Sequence, residues 1–129
     1  MDYFLMEHGG FQPQSDQHAA VKFSLQSILT NHRLDELSNL LPEGGKIGQL
    51  EGDPGWSLER RDSFDLQGFE RWPVKADFRA YVFPESFQLA YPEKFYDRAT
   101  FEAFIILAIN SYLAQPDHSK NDAKRVLQH

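Results

Sequence analysis

The sequence predicts an α+β fold in which an N-terminal helical hairpin and a long C-terminal helix pack with a small antiparallel sheet. Three observations predict it: apolar residues recur at helical spacing before Pro42, at every second position in the region from Trp56 to Tyr91, and at helical spacing again over residues 99–114. Helices and strands are segregated along the chain, which is typical of α+β domains and not of doubly wound sheets. The 129 residues show no domain boundary, so we expect a single domain over 1–129.

Two helices are predicted in the N-terminal part. The first begins after Ser15 or Asp16, either of which can cap a helix, and is interrupted at Asn31 and His32. The second ends at Pro42, and a glycine-rich loop follows. This loop lacks both glycine motifs that bind nucleotide phosphates, so we interpret it as a connection. The apolar residues that define the two helices are Val21, Leu25, Ile28, Leu29, Leu34, Leu37, Leu40 and Leu41.

The strand region begins at Trp56. Apolar residues from Trp56 to Leu66 share one parity, as expected of a half-buried strand. Arg60 and Asp62 interrupt this pattern on the same parity, so we expect the middle of the strand to be exposed or to lie at a sheet edge.

A β-hairpin is predicted over residues 78–91. Its strands, 78–83 and 87–91, are rich in aromatic and β-branched residues and are joined by a short turn that contains Pro84. Phe87, Leu89 and Tyr91 alternate along the second strand, so we expect them to form one buried face.

The long C-terminal helix is predicted over residues 99–114, after a cap at Asp97 or Thr100. Its apolar residues follow helical spacing without a break, and Ile106 and Leu107 add apolar surface outside that stripe. We therefore expect the helix to pack deeply on the sheet and to end before Pro116, with a short terminal helix over 119–127. The stripe consists of Phe101, Phe104, Ile105, Ala108, Ile109, Tyr112 and Leu113.

The formal net charge of -6 is concentrated in the first half of the chain. Residues 1–65 contain 11 acidic and 5 basic residues, whereas residues 66–129 contain 8 of each. Nucleic acids and anionic membranes are bound by clustered lysine and arginine, so we expect neither as a direct partner. A basic protein would be attracted, although an acidic surface also serves solubility alone.

No secretory or transmembrane segment is predicted. The first ten residues lack the basic and long apolar regions of a secretory signal, and the longest apolar run, near residues 104–109, is much shorter than a bilayer requires. We expect a cytoplasmic location, which suits a chain without cysteine. The lack of cysteine also excludes disulfides and thiolate chemistry.

No catalytic, cofactor-binding or metal-binding residue is predicted. None of the 5 histidines is three or four positions from another, as helical metal ligands are. No serine-nucleophile motif is present. Glu59 and Asp62 are candidates for acid–base chemistry, but a strand would direct them to opposite faces. The sequence therefore favours a protein that is not an enzyme and uses no cofactor.

An acidic and aromatic stretch, residues 51–72, is the candidate partner-binding surface. Six acids outnumber three arginines there, and two tryptophans accompany them. The carboxylates would pair with lysine or arginine of a partner, and the tryptophans would supply desolvated contacts. The alternative is that both tryptophans belong to the core or anchor the loop to the sheet. The candidate contact residues are Glu51, Asp53, Trp56, Glu59, Asp62, Asp65, Glu70 and Trp72.

The segment from Phe78 to Leu113, FRAYVFPESFQLAYPEKFYDRATFEAFIILAINSYL, resembles the C-terminal part of immunity proteins that neutralise toxins of bacterial contact-dependent growth inhibition. The shared pattern is a hairpin of the form Y-x-F-P-E-S-F-x-L followed by an aromatic helix capped at Tyr-Asp, over about a third of the chain. The resemblance implies a small, cytosolic, non-enzymatic protein whose partner is a toxin domain, often a basic nuclease. It assigns no contact residue.

The charge distribution and the resemblance together predict a non-enzymatic immunity protein that binds a basic nuclease toxin through an acidic surface. One alternative is a cytoplasmic adaptor or regulatory subunit of a complex unrelated to toxins, and gene context discriminates it from the first. Another is a small enzyme with an unrecognised acid–base site, which a deep pocket with convergent carboxylates and a histidine would favour. The oligomeric state and the identity of the toxin stay open.

Overall fold

The computed structural model describes residues 12–43, 45–52, 55–61, 72–114 and 126. These residues form three helices and a four-stranded antiparallel sheet, so the predicted α+β class is confirmed. No helix among them is long and apolar enough to cross a membrane. In chain order the elements are α1 (Ala19–Thr30), α2 (Leu34–Leu40), β1 (Gln49–Gly52), β2 (Trp56–Arg60), β3 (Phe78–Val82), β4 (Glu93–Tyr96) and α3 (Arg98–Leu113).

The sheet is a meander in which each strand pairs with the next, in the order β1-β2-β3-β4. Leu58 on β2 lies opposite Leu50 on β1 and Ala80 on β3, so these three side chains share one face. The same register places Glu59 and Arg79 side by side on the other face. One face is therefore mainly apolar and packs in the core, while the side chains of the other are mainly polar or charged.

The predicted helical hairpin is present as α1 and α2. Just before α1, a carboxylate oxygen of Asp16 accepts a hydrogen bond of 2.8 Å from the backbone amide of His18. α1 ends before His32, whose φ of 57° lies in the left-handed region, and this confirms the predicted interruption. The apolar side of α1, with Leu25 and Ile28, packs on β2 and β3 and contacts α3.

α3 packs on the same face of the sheet, as predicted. Asp97 caps it, because its Oδ1 accepts a hydrogen bond of 2.7 Å from the backbone amide of Thr100. The ring of Phe101 stacks on Phe78 of β3 with the centroids 4.2 Å apart, and the ring of Tyr96 lies 6.0 Å from Phe101. α1, α3 and the apolar face of the sheet therefore share one hydrophobic core.

The second strand of the predicted hairpin lies further along the chain than predicted. β3 pairs with β4, and residues 87–91 do not form a strand. The amides of Ser86 and Phe87 both donate to the carbonyl oxygen of Phe83, which makes a turn that carries the chain out of the sheet. Phe87 and Tyr91 are 37% and 46% exposed, so the buried face predicted for this segment is wrong. Only Leu89 packs partly against the core.

Arg60 is buried on a strand that lies between β1 and β3, whereas the sequence predicted that the middle of this strand is exposed or lies at a sheet edge. The residue is only 5% exposed. Its Nη1 donates to the carbonyl oxygens of Leu40 and Ile47 over 2.5 and 2.8 Å, and its Nη2 donates to that of Gly45 over 3.3 Å. The guanidinium therefore ties the end of α2 and the following loop to β2.

Two predicted elements lie mainly outside the described residues. One is the part beyond residue 61 of the strand that was predicted from Trp56 to Leu66, and the other is the terminal helix over 119–127. Within the latter, Val126 is described and is buried in the core.

Candidate protein-interaction surface

The face of the sheet opposite the core is not covered by any of the described helices, and we call it the open face. The strand register determines its members, because alternate residues of each strand point to the same side. Three glutamates and one arginine give it a net charge of -2. The open face consists of Gln49, Glu51, Ser57, Glu59, Arg79, Tyr81, Glu93 and Phe95.

Arg79 lies in the middle of the open face and pairs with a glutamate on each side. Its Nη1 is 2.6 Å from Oε1 of Glu59 on β2, and its Nη2 is 2.6 Å from Oε2 of Glu93 on β4. The guanidinium also lies 4.6 Å from the ring centroid of Tyr81. Burial alone would lower the pKa of Arg79, but its hydrogen bonds to Glu93 and Glu59 outweigh burial and raise the pKa. The arginine therefore stays charged and holds both carboxylates in position.

Aromatic rings lie beside these charges. Phe83, just after β3, meets Tyr81 edge to face with the centroids 5.1 Å apart. Phe95 on β4 meets Trp72 edge to face at 5.2 Å. Phe83 is 38% exposed, and Trp72 is partly exposed. Accessible aromatic rings next to charged groups are typical of protein-binding surfaces.

Glu51 supplies an exposed carboxylate at the β1 side of the open face. Its Oε1 accepts a hydrogen bond of 2.8 Å from Nε2 of Gln49, which also donates to the hydroxyl of Ser57 over 3.0 Å. No basic side chain among the described residues pairs with the carboxylate of Glu51. This carboxylate is therefore available to a cation on a partner.

The structure places the predicted contact residues in different environments. Glu51 and Glu59 lie on the open face, and Trp72 packs against its Phe95. The prediction for Trp56 is corrected: this residue is 0% exposed and belongs to the core, so it cannot be a contact residue. The remaining four lie outside the described residues: Asp53, Asp62, Asp65 and Glu70.

Sequence reasoning missed the part of this surface that β3 and β4 contribute. Alternation in β3 was a usable signal for Arg79 and Tyr81, because their neighbours are the buried Phe78 and Ala80. No comparable signal located Glu93 and Phe95, since the second strand had been predicted at residues 87–91.

A small cavity of about 200 Å³ lies where the end of β2, the segment before β3 and the start of α3 meet. Its charged groups are engaged locally: Asp77 accepts a hydrogen bond from the amide of Arg98, and Arg61 donates to the carbonyl oxygens of Pro73 and Val74. No histidine is among its described lining residues. The described residues also include no group of three histidine or acidic side chains that could hold a metal ion. The described lining residues are Glu43, Arg61, Val74, Ala76, Asp77 and Arg98.

A second polar cluster lies at the start of α1, on the core side of the sheet. Nδ1 of His18 is 2.9 Å from the hydroxyl of Tyr96. Burial lowers the pKa of His18, and the nearby charges of Lys94 and Lys22 lower it further, against the opposing effect of Asp16. Burial also raises the pKa of the Tyr96 hydroxyl. The folded protein therefore favours neutral His18.

Because the pKa of His18 is lower in the folded state than its ordinary value of 6.5, the unfolded state binds the proton more readily. The contribution of His18 to the free energy of unfolding is therefore fully present above the ordinary pKa of 6.5 and is lost as the pH falls through the folded-state pKa. We expect the urea midpoint to fall between about pH 7 and about pH 5, and His18→Gln to reduce this slope. Glu36 and Asp97 have lowered pKa values and titrate below this window.

The control for this experiment is His32→Asn, which removes an exposed histidine while tolerating its left-handed backbone. Of the two variants, His18→Gln should have the smaller pH slope. Equal slopes for the wild-type protein and His18→Gln would contradict the assignment to His18.

None of the comparisons with known proteins finds a relative: no protein family matches the sequence, no curated protein is similar to it, and no solved structure matches it. A function is therefore inferred from the fold, the open face, the charge and the resemblance of residues 78–113.

Proposed function

We propose that this chain is a non-enzymatic immunity protein that binds a cognate bacterial toxin domain, a basic nuclease, in the cytoplasm. The observation that carries the proposal is the open face, where a net charge of -2 adjoins accessible aromatic rings. The resemblance of residues 78–113 to immunity proteins of contact-dependent growth inhibition supports the same function. That segment contains β3 and β4, which supply half of the open face.

The open face suits a cationic partner for two physical reasons. The net charge of -6 over the whole chain would steer a basic protein toward it. Arg79 already holds Glu59 and Glu93, so these carboxylates lose little side-chain freedom when a partner binds. The exposed carboxylate of Glu51 can pair with a lysine or arginine, while Phe83 adds apolar contact area. Such binding would block a nucleic-acid cleft without any turnover.

The proposal is tested by co-expressing the full chain with the toxin domain encoded by the reading frame immediately upstream of its gene. We expect the chain to restore growth and to co-purify with the toxin domain. A toxin that stays active beside soluble, folded chain would contradict the proposal. Capture of a metabolic or signalling protein in its place would favour the adaptor.

The open face makes a specific prediction about charge. Glu51→Lys combined with Glu93→Lys should weaken toxin binding at least about tenfold, because each change replaces an attraction by a repulsion. The dependence of affinity on salt should also become less steep. Titration calorimetry at two salt concentrations measures both effects.

The matched control is Asp35→Lys combined with Glu43→Lys, which changes net charge equally at exposed acids in and after α2. This variant should bind nearly as tightly as the wild-type chain. Equal losses in the two double variants would mean that net charge alone matters, and the assignment to the open face would then be wrong.

A further inference from the structure

The two edges of the sheet differ in how far their outward backbone groups are already bonded. The amide of Arg60 on β2 donates to the carbonyl oxygen of Gly48, the residue just before β1. Because backbone groups alternate in direction along a strand, Gln49 and Glu51 direct theirs away from β2. The carbonyl oxygen of Glu51 accepts a hydrogen bond of 2.8 Å from Nη1 of Arg33, at the start of α2. This edge is therefore partly satisfied within the chain.

The edge of β4 is different. The amide of Val82 donates to the carbonyl oxygen of Pro92, so the alternate residues Lys94 and Tyr96 direct their backbone groups at β3. Glu93 and Phe95 consequently direct theirs outward. No backbone group of the described residues bonds to them, and β4 is the last strand of the sheet. An unpaired edge of this kind is a template for another strand.

We propose that the edge of β4 docks an extended segment of the basic partner, which adds to the sheet as a further strand. This inference rests on the proposed function, since it describes how the same partner engages the open face. The added strand would exchange backbone hydrogen bonds with Glu93 and Phe95. On the open-face side, it would place a lysine or arginine opposite Glu93 and an apolar residue opposite Phe95.

Charge argues against a second copy of this chain as the occupant. In a pair of antiparallel β4 strands, residues whose backbone groups point away from β3 must lie opposite one another. The two-fold axis of such a pair can therefore pass through Glu93, Lys94 or Phe95. The first register opposes two glutamates, the second opposes two lysines, and the third opposes Glu93 to Asp97 of the other copy. Each places like charges opposite one another, which destabilises strand pairing. A basic segment from another protein avoids this repulsion.

The test exploits a proline substitution. Phe95→Pro removes the outward amide hydrogen of an edge strand but none of the hydrogen bonds that join β4 to β3. Phe95→Ala loses the same ring contact with Trp72 and keeps the amide, so it is the matched control. Urea denaturation establishes that both variants fold with similar stability.

Two measurements follow on the full chain. An acetylated peptide of about six residues is titrated into the protein, and hydrogen exchange is followed by NMR. The peptide has arginine and valine in turn at every second position and threonine between them, so that arginine can lie opposite Glu93 while valine lies opposite Phe95. We expect slower exchange at the amides of Glu93 and Phe95 in the wild-type chain. With the toxin domain, Phe95→Pro should bind at least about tenfold more weakly than Phe95→Ala.

The outcomes separate this inference from the proposed function. Equal toxin binding by Phe95→Pro and Phe95→Ala would overturn strand addition while leaving the immunity function in place. Protection of the two amides by the peptide without any toxin neutralisation would support the edge site and contradict the function. Absence of protection would overturn the edge site, as would a dimer of the chain that Phe95→Pro abolishes.

Discussion

Replacement of Trp56 by alanine is expected to destabilise the protein by about 3–5 kcal/mol. The indole ring is 0% exposed and lies in the hydrophobic core. Gly52 packs so closely on the ring that a Cβ there would lie 2.5 Å from Trp56, and Arg33 lies 5.4 Å from the ring centroid. Alanine would leave a large cavity that the surrounding strands cannot close.

Urea denaturation measures this effect, and two other variants serve as comparisons. Trp56→Phe should cost less, because it keeps an aromatic ring in the core and because Nε1 of Trp56 has no hydrogen-bond partner among the described residues. Trp72→Ala should also cost less, since Trp72 is only partly buried. A larger loss from Trp72→Ala than from Trp56→Ala would contradict the core assignment.

Replacement of Arg60 by alanine should destabilise the protein by about 3 kcal/mol. A charged donor serves three carbonyl oxygens at once, those of Leu40, Ile47 and Gly45. Without it, these oxygens lose their shared donor at a site where water has little access, and the end of α2 is no longer tied to β2. The stability difference is again measured by urea denaturation.

Arg60→Lys is the control for charge. Lysine keeps the positive charge but is a compact donor that cannot span three carbonyl oxygens, so it should restore only part of the stability. Wild-type stability in Arg60→Ala would show that the contacts of the guanidinium with the loop contribute nothing.

The helical layer was predictable because its signals are local. A run of apolar residues at helical spacing and a cap at Asp97 or Thr100 predict α3. The structure confirms the helix and shows that Asp97 is the cap. The hairpin was only partly predictable, because residues 87–91 alternate between apolar and other side chains whereas β4, with the sequence EKFY, does not. A turn in which the amides of Ser86 and Phe87 donate to the carbonyl oxygen of Phe83 directs the chain out of the sheet, so residues 87–91 do not pair with β3 despite their alternation.

Arg60 shows why burial of a charged residue escaped the sequence pattern. Arg60 lies an even number of positions from the core residue Trp56, which correctly predicts that both face the core, but the charge of Arg60 predicted exposure. The carbonyl oxygens that compensate its burial come from residues 13 to 20 positions earlier in the chain. Such partners are brought together by tertiary packing, and no local sequence pattern predicts them.

The sequence predicted an acidic and aromatic contact surface but identified only some of the residues that form the open face. An acidic and aromatic contact surface was expected over residues 51–72, and Glu51 and Glu59 do lie together on the open face. Their neighbours Arg79 and Glu93 come from β3 and β4, at distances along the chain that composition does not connect.

The fold class, the helices and the excess of acidic side chains follow from the amino-acid sequence alone, because they depend on local periodicity and on residue counts. Packing in three dimensions is what buries Trp56 and brings Glu59 and Glu93 together at Arg79. It also leaves the outer edge of β4 unpaired by any other described strand. Strand register is the physical reason. A shift of one residue exchanges the faces of a strand, and the register is set by contacts between distant segments.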